Sequence, residues 1–86
     1  MIYKIDFTRA ARKQFLGFPE QVQIRLEEKI DKLAKDPRPN GVEKLSGLEN
    51  IYRIRIGKYR VIYNIQDEVL IVLVVKIGHR KEVYRR

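Results

Sequence analysis

Three arginines on one face of a predicted β-hairpin are the residues of this sequence best suited to chemistry. The segment IYRIRIGKYRVIY, residues 51–63, alternates residue by residue and turns at Gly57-Lys58, a pattern typical of two half-buried strands. That turn places Arg55 opposite Arg60, with Arg53 on the same face. Opposed guanidiniums destabilise a strand pair, whereas arginine presents paired donors that match phosphate oxygens. The trio therefore predicts a phosphate-binding surface, although each arginine alone would be explained as solvated surface.

Most other chemistries lack the residues that they need. The sequence has no cysteine, which excludes disulfides, thiolate metal sites and cysteine nucleophiles. Its one serine, Ser46, and its one histidine, His79, lie in no catalytic motif, and the scattered acids form no metal-ligand pattern. A glycine-rich nucleotide-binding loop is also missing. We therefore expect neither a metal nor a cofactor.

Cleavage of RNA does not require a nucleophile from the protein, because the substrate's 2′-hydroxyl is the nucleophile. The protein must orient that hydroxyl, stabilise charge on the phosphoryl oxygens and move two protons. His79 titrates near neutral pH and is a candidate acid or base, and Tyr84 could stack on a base or transfer a proton. Taken singly, His79 is better explained as a surface residue at a strand end, and Tyr84 as a tail aromatic packed on the sheet.

Length and charge limit the class of protein. At 86 residues and 44% hydrophobic content, the chain is expected to be a single small domain, residues 1–86. Its formal net charge of +8 indicates an acidic partner, either a nucleic acid or an acidic protein. The N-terminus has no long apolar core, and the apolar run Val69–Val75 is too short to span a bilayer. We expect a cytoplasmic protein that does not associate with a membrane.

Two helices are predicted in the N-terminal half, after a first strand at Ile2–Phe7. Thr8 is expected to cap a helix at Arg9–Leu16. A second helix is expected from Pro19 to Lys35, with one apolar stripe that faces the core: Val22, Leu26, Ile30 and Leu33. We interpret this second helix as scaffold.

The C-terminal half is predicted to form the sheet. The second hairpin strand continues to Gln66, a two-residue turn follows at Asp67-Glu68, and Val69–Gly78 is apolar on both faces, as in an interior strand. With that turn, three apolar residues share the arginine face: Ile71, Leu73 and Val75. Apolar residues beside a basic patch indicate either a protein partner or a chain segment that folds back over this face.

Three segments together resemble one protein family. LAKDPRPNG, KLSGLENIYRIRIGKYRVIYNI and VVKIGHRKEVYR are similar to the RelE/ParE toxin superfamily, and within it to the RelE-like messenger-RNA interferases. The resemblance implies an α+β domain of order β-α-α-β-β-β, with a mainly antiparallel sheet and two N-terminal helices on one face. It also implies the toxin of a type II toxin–antitoxin system, a metal-independent endoribonuclease that cleaves mRNA in the ribosomal A site. The implied partners are the ribosome, mRNA and a RelB-like antitoxin in a hetero-oligomer.

The resemblance also implies roles for individual residues. Arg60 and Arg80 would contact the scissile phosphate, and Tyr84 would stack on or orient the substrate. Arg53 and Arg55 stand where the best-known member has lysines, and arginine is a poorer proton acceptor, which makes His79 a better candidate for the general base. The predicted catalytic residues are Arg53, Arg55, Arg60, His79, Arg80 and Tyr84, and the predicted further RNA contacts are Lys58, Lys76, Lys81 and Arg85.

Two other functions stay open at this point. A ParE-like inhibitor of DNA gyrase would share the fold without needing the arginine, histidine and tyrosine cluster. A catalytically inactive binding module would keep the fold after losing activity. The complete HR-x-x-x-Y tail favours the ribonuclease.

Overall fold

The protein is a five-stranded sheet with two helices on one of its faces. The computed structural model describes residues 2–79. The elements are β1 (Lys4–Phe7), α1 (Arg9–Leu16), α2 (Glu20–Lys32), β2 (Glu43–Lys44), β3 (Ile51–Ile56), β4 (Tyr59–Gln66) and β5 (Ile71–His79). The strand order is β1-β5-β4-β3-β2, and only β1 and β5 run parallel. The predicted α+β class and its element order are confirmed, with β2 as an additional short strand.

The two helices are bounded by local interactions. Thr8 caps α1 as predicted, since its hydroxyl accepts a hydrogen bond from the backbone N–H of Ala11 at 3.1 Å. Pro19 was predicted as the first helical residue, which is wrong, because Pro19 is extended and is the N-cap of α2. The predicted end at Lys35 is also wrong. The N–H groups after Lys32 bond three residues back, which tightens the last turn. Neither helix within residues 2–79 has the length and apolar content to cross a membrane.

Strands β3 and β4 pair in the predicted register. Ile56 lies opposite Tyr59 and Arg55 opposite Arg60, so the loop between them has two residues. Gly57, the first loop residue, has a φ of +60°, a conformation that glycine adopts without a steric penalty. The turn therefore sets which residues face the core and which face away.

The turn between β4 and β5 is longer than predicted. It spans residues 67–70 rather than two residues, so β5 begins at Ile71 and the predicted strand start at Val69 is wrong. Leu70 has a φ of +55°, a left-handed conformation that closes the turn. Since the loop grew by an even number of residues, Ile71 and Leu73 keep their predicted place on the arginine face.

A bulge at Val75 reverses the facing of the last part of β5. The two neighbours of Val75 pair with adjacent residues of β4, so Val75 is an extra residue without a regular partner. Beyond the bulge, Lys76 lies on the face of Arg60, whereas Ile77 and His79 lie on the core face. If Val75 instead took a regular place in the ladder, Lys76 would point into the core.

The helices cover the core face of the sheet, as predicted. The α2 stripe supplies three fully buried side chains, with Val22 packed against them. They pack with the buried residues of β4 and β5, which alternate with the outward residues of the same strands. The main members of this core are Leu26, Ile30, Leu33, Val61, Tyr63, Ile65, Val72, Val74 and Ile77.

A network of polar side chains joins the connection after α2 to the β4–β5 turn. It lies at the end of the sheet opposite the turn of the arginine hairpin. Arg38, in the connection after α2, forms a bidentate ion pair with Asp67 in the β4–β5 turn, at 2.8 and 3.3 Å. The hydroxyl of Tyr3 donates to the same carboxylate. These hydrogen bonds hold the pKa of Asp67 below its usual range, and the bond from Arg38 has the larger effect.

Candidate nucleic-acid interface

The structure brings Arg53, Arg55 and Arg60 together on the face of the sheet that the helices leave uncovered. Arg55 and Arg60 are cross-strand partners, and Arg53 lies two residues along β3. Opposed guanidiniums repel each other. The hairpin therefore keeps positive charge where folding alone would not favour it, as an anion-binding surface requires.

Arg60 is the most enclosed of the three arginines. Only 4% of its surface is exposed, while Arg53 is half-buried and Arg55 is exposed. Burial limits the rotamers open to a long side chain, so the Arg60 guanidinium is held in one place. A fixed guanidinium can meet a phosphate without first losing rotamer entropy.

Glu43 is a member of this cluster that the sequence analysis missed. It lies opposite Arg53 across β2 and β3. Its Oε1 accepts hydrogen bonds from Nε of Arg53 at 3.1 Å and from Nη2. The bond to Arg53, followed by the charges of Arg55 and Arg60, holds the pKa of Glu43 below its usual range. The arginines thus already stabilise one anion, the carboxylate of Glu43.

A cleft of about 660 Å³ opens beside the arginines, at the outer edge of β3. Its walls are the C-terminal half of α2, the segment that leads into β2, and β3 itself. Basic side chains predominate in the lining, which contains Lys29, Lys32, Arg53, Arg55 and Arg60, with Asp36 and Glu43 as its acids. This composition suits a negatively charged ligand.

The remaining predicted contacts divide between the two faces. Lys76 pairs with Ile62 and so shares the arginine face, and Lys58 is exposed in the hairpin turn. His79 does not join the arginines. It pairs with Tyr59 on the core face, where the two rings meet edge to face with centroids 5.9 Å apart. The bulge at Val75 thus leaves His79 on the opposite side of the sheet from the trio, and its role as acid or base stays a prediction.

The tail residues among the predictions lie outside the described residues. They are Arg80, Lys81, Tyr84 and Arg85, and their proposed roles rest on the sequence. Within residues 2–79, no three histidines or carboxylates are grouped so as to hold a metal ion.

Comparison with known proteins decides the family. The sequence matches, over residues 5–84, the family described as ParE toxin of type II toxin–antitoxin system, parDE. The chain belongs to this toxin family. The match covers the helices, the hairpin and β5.

The curated relatives of the chain include toxins named RelE and RelG. The chain is 32% identical to the mRNA interferase toxin RelE of Escherichia coli K12, over 98% of this chain and 92% of the relative. It is 30% identical to toxin RelG of Mycobacterium tuberculosis, over the whole of both chains. These relatives and the family match confirm the predicted membership of the RelE/ParE superfamily.

Solved structures agree with the fold. A mutant of E. coli toxin RelE in the free state superposes with a TM-score of 0.82, at 31% identity over 98% of this chain and 92% of the other. The archaeal RelE–RelB complex from Pyrococcus horikoshii gives a TM-score of 0.81, at 29% identity over 93% and 97%. The arrangement of helices and sheet is thus that of RelE toxins.

Proposed function

We propose that this protein is a ribosome-dependent endoribonuclease that cleaves mRNA in the ribosomal A site and thereby stops translation. The observation that carries the proposal is the arginine trio, with a nearly buried Arg60, on the open face of a fold shared with RelE toxins. A relative at 32% identity named mRNA interferase toxin supports a ribonuclease. The site of action would be the cytoplasm, where ribosomes translate.

The reaction needs only the substrate's own nucleophile. The 2′-oxygen bonds to phosphorus as the bond to the 5′-oxygen of the next nucleotide breaks, which leaves a 2′,3′-cyclic phosphate and a 5′-hydroxyl. One proton leaves the 2′-hydroxyl, and one is delivered to the departing 5′-oxygen. Arg60, with Arg53 and Arg55, would stabilise the negative charge that builds on the phosphoryl oxygens. No step in this scheme requires a metal.

Proton transfer must come from outside the arginine trio. Arginine keeps its proton at neutral pH and cannot accept another. His79 faces the core side of the sheet, so we assign this step to the tail, where the family resemblance places Tyr84. Arg80 would add a further contact to the scissile phosphate.

The proposed partner is a RelB-like antitoxin. Several of the similar structures are complexes, among them the intact E. coli RelBE toxin–antitoxin complex and the archaeal RelE–RelB complex. Half-buried Ile71 and Leu73 beside the arginines suit a partner with apolar and acidic side chains, and so does the net charge of +8. The antitoxin would cover the arginine face in a hetero-oligomer.

The decisive test is translation of a defined message in a purified system, with primer extension to map new 5′ ends. Discrete cuts at ribosome-occupied codons, absent without ribosomes, would support the proposal. Arg60→Ala and Arg55→Ala should abolish or strongly reduce these cuts, while exposed Arg9→Ala, at the start of α1, should leave them unchanged. If folded Arg60→Ala cleaves like the parent, the site is wrongly assigned.

A second candidate is inhibition of DNA gyrase, which the ParE description of the matching family favours. A folded protein that makes no cuts but blocks supercoiling by purified gyrase would establish it. A folded protein that does neither, yet still binds ribosomes, would be a binding module.

A further inference from the structure

A basic stripe runs along α2, the helix that the sequence analysis treated as scaffold. Arg25, Lys29 and Lys32 lie four and three residues apart, which places them within about 60° of one another around the helix axis. All three are exposed, and within residues 2–79 none of them forms an ion pair. The stripe contributes nothing to the core.

Two residues of the stripe line the arginine cleft, and the third lies at the hairpin turn. Lys29 and Lys32 line the same cleft as the arginine trio. At the other end, a Cβ built on Gly57 would lie 3.3 Å from Nη1 of Arg25, so this guanidinium rests against the hairpin turn. The basic residues thus extend from the tip of the hairpin to the C-terminal end of α2.

Helix stability explains only part of this arrangement. Basic residues in the last turn favour the negative end of the helix dipole, which accounts for Lys29 and Lys32. Arg25 lies mid-helix and gains nothing from the dipole. The acids of the cleft, Asp36 and Glu43, are too few to neutralise its basic side chains, and Glu43 is already bonded to Arg53.

We propose that Arg25, Lys29 and Lys32, together with Arg55, bind the phosphodiester backbone of the message strand that flanks the cleaved phosphate. The proposal rests on the ribonuclease function proposed above. The occupant follows from charge and from continuity, because Lys29 and Lys32 share a cleft with the arginines that would hold the cleaved phosphate. The seven steps along the helix from Arg25 to Lys32 rise about 10.5 Å, long enough to contact more than one phosphate.

The test is the salt dependence of binding to a short single-stranded 2′-O-methyl RNA, which cannot be cleaved because it has no free 2′-hydroxyl. The stripe variant replaces Arg25, Lys29 and Lys32 with glutamine in the full chain. A control variant of equal charge replaces exposed Lys4, Arg9 and Lys13, on β1 and α1, with glutamine. Thermal unfolding verifies that both variants fold, and Lys29→Gln/Lys32→Gln serves if the triple variant does not.

Affinity falls as salt rises, and each backbone contact to a single strand contributes roughly 0.7 to the steepness of log affinity against log salt. The loss of three contacts should therefore make this dependence shallower by about 2. The control variant should keep the parent's slope. Equal slopes in the two variants would overturn the proposal, because only the overall charge would then matter. An unchanged slope with weaker binding to ribosomes that lack a message would also overturn it, and would assign the stripe to ribosomal RNA.

The cleavage assay and the salt dependence together distinguish failure of the proposed nuclease function from failure of the stripe proposal. If the parent makes no cuts in translated mRNA but only the stripe variant loses salt dependence, the backbone contacts stand and the cleavage function falls. If the parent cleaves mRNA and the stripe and control variants have equal slopes, the stripe proposal is wrong and the nuclease function is supported.

Discussion

Glu43 holds the guanidinium of Arg53 from the neighbouring strand, with one carboxylate oxygen accepting from both Nε and Nη2. The carboxylate therefore occupies donors that would otherwise serve a phosphate oxygen. Glu43 is largely exposed while Arg53 is mostly covered, so the carboxylate is the partner that can move away. RNA binding at this site must compete with an anion from the protein itself.

Removing that charge should strengthen RNA binding. We predict that Glu43→Gln binds uncleavable single-stranded RNA up to about fivefold more tightly, a modest gain because exposed ion pairs are weak. Glu49→Gln, which removes an exposed acid outside the cleft, should bind like the parent. Fluorescence anisotropy at fixed salt measures both affinities. Weaker binding by folded Glu43→Gln would instead mean that Glu43 orients Arg53 for the phosphate.

His79 should be dispensable for catalysis, because its ring lies against Tyr59 on the core face. We predict that His79→Phe, which keeps an aromatic ring, cleaves at close to the parent's rate with an unchanged pH profile. Loss of a true general base would slow cleavage by at least about 100-fold. A single-turnover assay on programmed ribosomes separates these results, with Arg60→Ala as the inactive reference.

Asp67 should make stability depend on acid pH. Its pKa is lowered in the folded protein by Arg38 and then by Tyr3, so its contribution is complete above the unfolded pKa, near roughly 3.9. The contribution is lost as the pH falls through the lower, folded pKa. We predict that Asp67→Asn is less stable than the parent at pH 6, and that this difference is smaller at pH 3. Urea unfolding at both pH values tests this, and Glu28→Gln, an exposed acid that forms no ion pair within residues 2–79, should show no such change.

Tyr63 should matter through its hydroxyl as well as its ring. The side chain is fully buried and donates to the backbone carbonyl of Pro37 at 2.7 Å. Tyr63→Phe leaves that carbonyl without its partner, so we predict a loss of about 1–3 kcal/mol in the free energy of unfolding. Tyr59→Phe is the matched control, because the Tyr59 hydroxyl forms no hydrogen bond within residues 2–79. Equal losses in the two variants would show that the bond to Pro37 contributes nothing.

The features predicted correctly from sequence are those set by neighbouring residues. The Gly57 turn fixed the pairing of Arg55 with Arg60, because a two-residue loop leaves only one register. Thr8 predicted the start of α1 because a capping hydroxyl acts within three residues. The arginine face followed from the same alternation.

The missed features depend on contacts between distant segments. Glu43 joins the cluster because β2, only two residues long, pairs with β3, and no local pattern announces so short a strand. The side of the sheet on which His79 lies could not be predicted, because the bulge at Val75 leaves no sign in an apolar run. The spacing of Arg25, Lys29 and Lys32 was visible, but only the fold shows that this side of α2 borders the hairpin.

The bulge at Val75 also determines which length changes this strand can accept. Deleting Val75 itself would let Lys76 follow Val74 directly, so the strand would return to simple alternation with Lys76 still on the arginine face and Ile77 still in the core. Deleting a regularly paired residue of β5 while the bulge stays would instead exchange the buried and exposed sides of the strand beyond the deletion. Natural variants of this strand should therefore tolerate the loss of a single residue at the bulge and not elsewhere in the strand.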